Sequence, residues 1–395
     1  MAVTVLDGAS HLLESPDPAI ALALNPFNNE ARINLVVGQL NANPATDALA
    51  PILQQIHWSI QLAPIDARGY SLAGEVRQRQ GEEKLAQADY SVALHLSKTE
   101  IHALVSTLRT DIEQQSYRQS VARIDLILRR WPQYFDQLKQ VFVPILSTRA
   151  GYGAFLTAIA ASPPWEGQFL SEICKSTAGA LLADRLLLDL KTGGKTLRPG
   201  DITTVIGGLL RNDQETTAYQ LFLLTQTDGQ RAVSGYVFDG GFQLGASSNP
   251  FAWHWTNRSG YELAALTSNS RTGGGLQLEF FDKPVRSVAI SQLLRLPSGY
   301  YDLKTVLDGE AVALPKGLYW SLRCAKTSKQ IAQLDIPEGT YRDRTLSAQF
   351  QIDDNECKLE RLTLETSLIA ESWQYRYEGR VVFRRVEVEN LGLAR

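Results

Sequence analysis

Four short segments in the N-terminal half share one pattern, a run of small and apolar residues closed by a helix-breaking position. They are Ala21-Leu-Ala-Leu-Asn-Pro26, Ser59-Ile-Gln-Leu-Ala-Pro64, Ala93-Leu-His-Leu-Ser-Lys98 and Ile127-Leu-Arg-Arg-Trp-Pro132, and their last positions lie 38, 34 and 34 residues apart. A period of this length means one supersecondary unit repeated. No single unit of two helices can bury its own apolar face, so neighbours must stack.

The unit Ala67 to Glu100 carries the pattern most fully. Tyr70 takes the first aromatic position, Gly74 the small position where two helices cross, and Gly81 the turn before the second helix. Ala86, Tyr90, Ala93 and Leu96 follow, and Lys98 stands where a proline closes the other units. A 34-residue period is the tetratricopeptide (TPR) spacing, and this unit resembles the TPR consensus. Its neighbours are degenerate. The first has about four extra residues around Asn41-Ala-Asn-Pro44, and the third has Leu108 and Ser120 at positions the consensus gives to glycine and alanine.

Helical spacing continues through Phe135, Leu138, Val141, Phe142 and Ile145. Pro163-Pro-Trp165 interrupts it, Phe169 and Ile173 resume it, and Pro199-Gly-Asp201 reads as a helix start with Asp201 as N-cap. The expectation is a TPR-like α-solenoid of ten to twelve helices ending near Thr227. Its concave groove docks a protein partner, with Tyr70, Arg77 and Tyr90 as groove candidates.

After Thr225-Gln-Thr-Asp-Gly-Gln230 the period changes from 3.6 to 2. Strands are expected at Gly275–Phe281, Ser287–Ile290, Tyr300–Lys304, Leu318–Cys324, Leu346–Ile352, Leu359–Glu365 and Gly379–Val388, with turns at Pro297-Ser-Gly299, Asp308-Gly309 and Asp353-Asp-Asn355. So many short strands argue for an antiparallel β-sandwich, a jelly roll in its commonest form. The fold class is therefore multidomain α plus β. The segments are a lead-in over 1–14, a TPR-like helical domain over 15–229 and a jelly-roll domain over 230–395. Cys324 and Cys357, 33 residues apart in the strand-rich part, fit no metal or redox motif. From the residues alone they are either a disulfide or two unrelated thiols. Cys174 reads as a buried apolar residue.

Phe238-Asp-Gly-Gly-Phe242, Pro250-Phe-Ala-Trp253 and Leu294-Arg-Leu-Pro-Ser-Gly-Tyr300 resemble the opening strand and core hairpin of jelly-roll carbohydrate-binding modules. Val381-Val-Phe-Arg-Arg-Val-Glu-Val388 stands at the place of their closing strand. Arg384 and Arg385 replace the aspartate pair that often serves a structural calcium there. Together with the repeats, Pro163-Pro-Trp165 and Leu318-Tyr-Trp-Ser-Leu-Arg-Cys324, the whole chain resembles a bacterial family of TPR proteins encoded with exopolysaccharide synthesis and export machinery. That resemblance implies a periplasmic location behind an N-terminal membrane anchor, exopolysaccharide and envelope polysaccharide synthesis/export proteins as partners, and a Cys324–Cys357 disulfide.

The first ten residues have neither a basic n-region nor an apolar h-region. The chain is thus either cytoplasmic as written or attached through an anchor that this sequence does not include. With 39 basic against 42 acidic residues, the net charge is -3, and the basic excess of a nucleic-acid binder is missing. No catalytic motif stands out. Thr192-Gly-Gly-Lys-Thr196 lacks the first glycine of a P-loop, Asp189 being in its place. Glu371 and Glu378 are the one carboxylate pair worth weighing as a glycosidase dyad. No cofactor or metal is expected.

Aromatic residues carry the functional reading, because sugar rings pack a C–H face on aromatic rings. Trp253 and Trp320 sit in apolar frames and read as core. Trp255, Trp373, Tyr375 and Tyr377 are flanked by polar residues and are the glycan-binding candidates, the last three sharing one face if Trp373–Tyr377 is a strand. The expected function is a non-enzymatic accessory of exopolysaccharide assembly or export. A pure protein-interaction scaffold and a polysaccharide lyase or hydrolase are the alternatives.

Overall fold

The computed structural model describes residues 2–266, 274–353, 357–370 and 372–392. It divides into two compact units between Glu166 and Gly167.

The first unit is all helical: α1 (Ala2–Leu13), α2 (Pro18–Leu24), α3 (Asn29–Asn41), α4 (Leu49–Leu62), α5 (Ala67–Arg79), α6 (Glu83–Leu96), α7 (Ile101–Glu113), α8 (Tyr117–Arg130), α9 (Phe135–Leu138), α10 (Phe142–Leu146) and α11 (Arg149–Ala160). Helices α2, α4, α6 and α8 are the second members of successive pairs. Each ends where the repeat places it, with Asn25, Ala63, Ser97 and Trp131 donating the last N–H to the carbonyl four residues back. The prolines that follow α2, α4 and α8 cannot continue a helix, and Lys98 takes that place after α6. Ile33, Val36, Leu40, Ile52, Ile56, Leu72 and Val76 fill the seam among α3, α4 and α5. At Gly74 a Cβ would stand 2.7 Å from the Tyr90 ring, so α5 and α6 approach only because that side chain is missing. The degenerate third unit keeps the same seam with Leu108 and Ser120, both buried. Trp165 is buried too, and its indole N–H donates to Asp125 at 3.0 Å.

The second unit begins within α12 (Glu166–Ile173) and continues through α13 (Thr177–Thr192), α14 (Pro199–Arg211), α15 (Glu215–Thr225) and α16 (Asp228–Ala232). The helical region therefore holds more helices than the ten to twelve expected. Helix α14 also starts earlier than the sequence suggests: Arg198 is its N-cap, Pro199 opens it, and Asp201 instead pairs with Arg198 at 2.7 Å.

The strands are β1 (His254–Trp255), β2 (Tyr261–Leu266), β3 (Gly275–Lys283), β4 (Ser287–Leu294), β5 (Gly299–Ala313), β6 (Tyr319–Cys324), β7 (Gln330–Asp335), β8 (Gly339–Ile352), β9 (Glu360–Glu365) and β10 (Tyr377–Gly392). They form two antiparallel five-stranded sheets, ordered β1-β4-β9-β6-β7 and β2-β3-β10-β5-β8. The chain is thus a helical-repeat region followed by an antiparallel β-sandwich. Sequence alternation missed β1, β2 and β7, and it placed a turn at Asp308-Gly309 that does not exist. Strand β5 runs through that point on a register shift, and Gly309 lies beneath Tyr341, where a Cβ would come within 2.4 Å of the ring. Of the Asp353–Asn355 turn, 354 and 355 lie outside the described residues.

The two aromatic motifs that precede β1, Phe238–Phe242 and Pro250–Trp253, divide between two cores. Phe242 and Trp253 stack at 4.9 Å and continue through Trp320, 5.6 Å from Trp253, to Phe383 at 5.2 Å inside the sandwich. Phe238 and Phe251 instead meet α15: Phe222 lies 5.1 Å from Phe238 and 5.5 Å from Phe251, and Tyr219 lies 5.3 Å from Phe251. The last helices therefore pack on the end of the sandwich. Asp239 organises the turn between the motifs. Its carboxylate accepts the N–H groups of Gln243 and Leu244 at 2.8 Å each, and its carbonyl accepts the Trp253 indole N–H at 3.0 Å. Burial pushes its carboxyl up, against the pull of those two backbone donors. Gly240 is required here, since a Cβ would stand 2.3 Å from the Val386 carbonyl oxygen.

Candidate functional site

Cys324 ends β6 and Cys357 precedes β9, and they form a disulfide with Cα atoms 5.5 Å apart. Cys174 is free and buried, and burial pushes its thiol up to about 12.

The four glycan-binding candidates do not share one platform. Residues 373–375 form a turn, so the alternation assumed for Trp373–Tyr377 does not apply. Trp373 is 66% exposed. The Arg376 guanidinium lies 5.1 Å from its ring centroid, donates to the Trp373 carbonyl at 3.0 Å, and is held by Asp282 at 2.7 Å. Tyr375 is half-buried against the sandwich core with the Lys316 ammonium 4.3 Å from its ring centroid. Tyr377 is not a surface residue. It is fully buried, packs 5.5 Å from Phe280, and donates to the Gly317 carbonyl at 3.0 Å. Trp255 is half-buried on β1, paired with Ile290 and packed on the same core. Trp373, with Tyr375 and Arg376 beside it, is what remains as an exposed edge. Of the carboxylate pair, Glu371 lies outside the described residues and Glu378 is exposed on β10.

Next to that edge runs the outer face of the sheet β2-β3-β10-β5-β8, which sequence reasoning overlooked. Strand β10 places alternate side chains outward, and three of them, Arg380, Arg384 and Glu389, pair with side chains of neighbouring strands. Arg380 meets Glu279 at 3.4 Å and Glu310 at 3.5 Å, and Arg384 pairs with Asp308. Lys304 pairs with Glu389, which holds the ammonium above its ordinary value. Arg384 also donates to the Gly274 carbonyl at 3.2 Å, so this guanidinium serves cross-strand pairing where the resembling modules carry an aspartate. Two exposed aromatics bracket the ladder, Phe281 near the Trp373 end and Tyr300 at the other. The face follows the 16 residues of β10, about 50 Å at ~3.3 Å per residue. The sequence signal that reveals it is charge at alternate positions of facing strands.

In the first unit a groove of about 600 Å³ is walled by Glu75, Gln78 and Arg79 of α5, His102 and Arg109 of α7, and Tyr134. Of the three groove candidates only Tyr90 reaches it. That tyrosine is buried, with its hydroxyl 3.2 Å from Gln78 Oε1. Tyr70 donates to the Pro64 carbonyl at 3.2 Å, and Arg77 is tied to Asp89 at 2.6 Å, both away from the groove. The repeat pattern identified packing positions, and packing positions are not the ones that face a groove.

No family model and no curated protein sequence matches the chain. Among solved structures, a CBM4 structure aligns with 39% of this chain and 99% of its own at 11% identity and a TM-score of 0.29. The CBM22-1 xylan-binding domain of Paenibacillus barcinonensis Xyn10C aligns over 39% and 94% at 13% identity, with a TM-score of 0.26. Pseudomonas aeruginosa pilF aligns over 49% and 89% at 17% identity, with a TM-score of 0.25.

Proposed function

We propose that this protein is a non-enzymatic accessory of exopolysaccharide assembly or export, whose sandwich-bearing unit binds polysaccharide and whose helical groove docks a protein partner. The carrying observation is the Trp373 indole, two-thirds exposed yet fixed by Arg376 and Asp282. An apolar ring held rigid at the surface binds a sugar C–H face at little entropic cost, and the adjacent ion-pair ladder offers fixed partners to hydroxyls. The motif resemblance to carbohydrate-binding modules supports the same reading. The Cys324–Cys357 disulfide supports an oxidising compartment such as the periplasm. Among the described residues no helix is long and apolar enough to cross a membrane.

The test is affinity electrophoresis of the full chain through gels containing alginate, xanthan or a neutral glucan. Retardation by at least one polysaccharide is expected. Trp373→Ala should weaken it about three- to tenfold, the worth of one ring contact. Unretarded migration in every gel rejects the reading. The burial of Tyr377 favours the rival, a pure interaction scaffold in which the sandwich touches no sugar, and that result would establish it.

A further inference from the structure

At one end of the sandwich, the turn Arg258–Tyr261, the β3–β4 loop Pro284–Ser287 and the segment Leu368–Ile369 line a cleft of about 520 Å³, within the usual range of small-ligand sites. Hydrogen bonds tie its walls together. The Gly260 carbonyl accepts the Phe281 N–H at 3.1 Å, and Arg258 and Tyr261 exchange backbone bonds at 3.3 and 3.2 Å. The Thr366 hydroxyl sits between the Val285 and Arg286 carbonyls, at 2.9 and 2.8 Å, and accepts the Leu368 N–H at 3.3 Å. Walls held in this way lower the ordering cost of binding.

The charge of the cleft has one sign. Arg258 and Arg286 both line it and both are exposed. Neither guanidinium has an ion pair or hydrogen bond among the described residues. No described carboxylate lines the cleft. Asp282, two residues before Pro284, is already taken by Arg376 at 2.7 Å. These two arginines differ in this from Arg376, Arg380 and Arg384 of the same sandwich, which all face carboxylates. A guanidinium fork left open matches the paired oxygens of a carboxylate.

The remaining wall is mixed. Pro284 and Ile369 are apolar, with Ile369 87% exposed, and Ser259 and Ser287 bring hydroxyls. The cleft also adjoins the Trp373 edge. Lys283, just before Pro284, pairs with Tyr377 in the β3–β10 ladder, and Asp282 holds the Arg376 that lies over the Trp373 ring.

We infer that this cleft binds an acidic sugar residue of a polysaccharide, with the uronate carboxylate on Arg258 and Arg286, hydroxyls on Ser259 and Ser287, and the C–H face on Pro284 and Ile369. The inference deepens the glycan-binding reading and rests on it. A neutral sugar would leave both guanidiniums unused. A bare inorganic anion would leave the apolar wall unused.

The full chain is titrated calorimetrically at low salt with tri-galacturonate and with cellotriose. Tri-galacturonate should bind at least about tenfold tighter than cellotriose, and its affinity should fall as salt rises. Arg258→Gln and Arg286→Gln should each weaken it about tenfold. Both side chains are exposed, so both variants should keep the parent circular dichroism spectrum. Arg342→Gln, which removes the same charge from an exposed position on β8, should leave affinity within about twofold. Ile369→Ser should weaken binding about threefold or more. Equal affinity for the two trisaccharides, or no effect of either cleft arginine, overturns the inference. An unchanged affinity in Ile369→Ser means that charge alone holds the ligand, and it overturns the saccharide assignment. Retardation by a polysaccharide in the gels without tri-galacturonate binding also overturns the inference but leaves the wider reading standing. Absence of both overturns both.

Discussion

The side-chain amide of Gln292 completes both backbone polar groups of Phe238: the Phe238 N–H donates to Oε1 at 3.0 Å, and Nε2 donates to the Phe238 carbonyl at 2.8 Å. All of this is buried. One glutamine on β4 thus stands in for a strand partner and pins the segment before β1 so that Phe238 faces α15 while Phe242 faces the sandwich. Replacing it with leucine leaves an N–H and a C=O unpaired in the interior. Gln292→Leu should cost about 2–4 kcal/mol, read as a lower urea midpoint for the second unit.

The same packing sets where the chain can be cut. A fragment starting at Val233 leaves the rings of Phe238 and Phe251 without Phe222 and Tyr219. That fragment should aggregate or unfold at a lower temperature than one starting at Gly167. Within the intact chain, Phe222→Ala should lower stability by about 3–5 kcal/mol, with proteolysis appearing first between 226 and 236. Equal melting temperatures for the two fragments would show that α13–α16 add nothing to the sandwich.

Thiol counting checks the cysteine assignments directly. The native chain should show no thiol reactive to Ellman's reagent, because Cys174 is buried and holds its proton tightly. Unfolding without reductant should expose one thiol, and unfolding with reductant three, the total in the chain. Breaking the bridge by Cys324→Ser with Cys357→Ser should cost about 3–4 kcal/mol, from the chain entropy of a loop of this length.

Glu360 links stability to pH. It is buried at the start of β9, where one carboxyl oxygen accepts the Leu296 N–H at 3.0 Å and the other has no partner. Burial pushes its carboxyl up to about 7 from an ordinary 4.5. Between those values the folded state holds a proton that the unfolded state has lost, so this group's contribution to stability falls as pH rises from about 4.5 to about 7. Glu360→Gln should therefore be more stable than the parent at pH 8, by up to about 3 kcal/mol, and indistinguishable from it near pH 4. Denaturant midpoints across that range decide it, and a gap that does not vary with pH refutes the assignment.

The 34-residue period, the change from period 3.6 to period 2 and the Gly74–Tyr90 crossing were all legible in the sequence, because each is a local rule that backbone geometry imposes on neighbouring residues. Local alternation also located seven of the strands. It failed at Asp308-Gly309, where a glycine that usually turns a chain instead makes room for Tyr341. It failed again at Trp373–Tyr377, where a turn replaces the assumed strand and sends Tyr377 inward. The disulfide pairing, the grouping of α13–α16 with the sandwich, and the Arg380–Glu279–Glu310 and Arg384–Asp308 ladder were settled by tertiary structure alone. Each depends on which residues far apart in the chain meet, and burial or exposure follows from that meeting rather than from the character of the flanking residues.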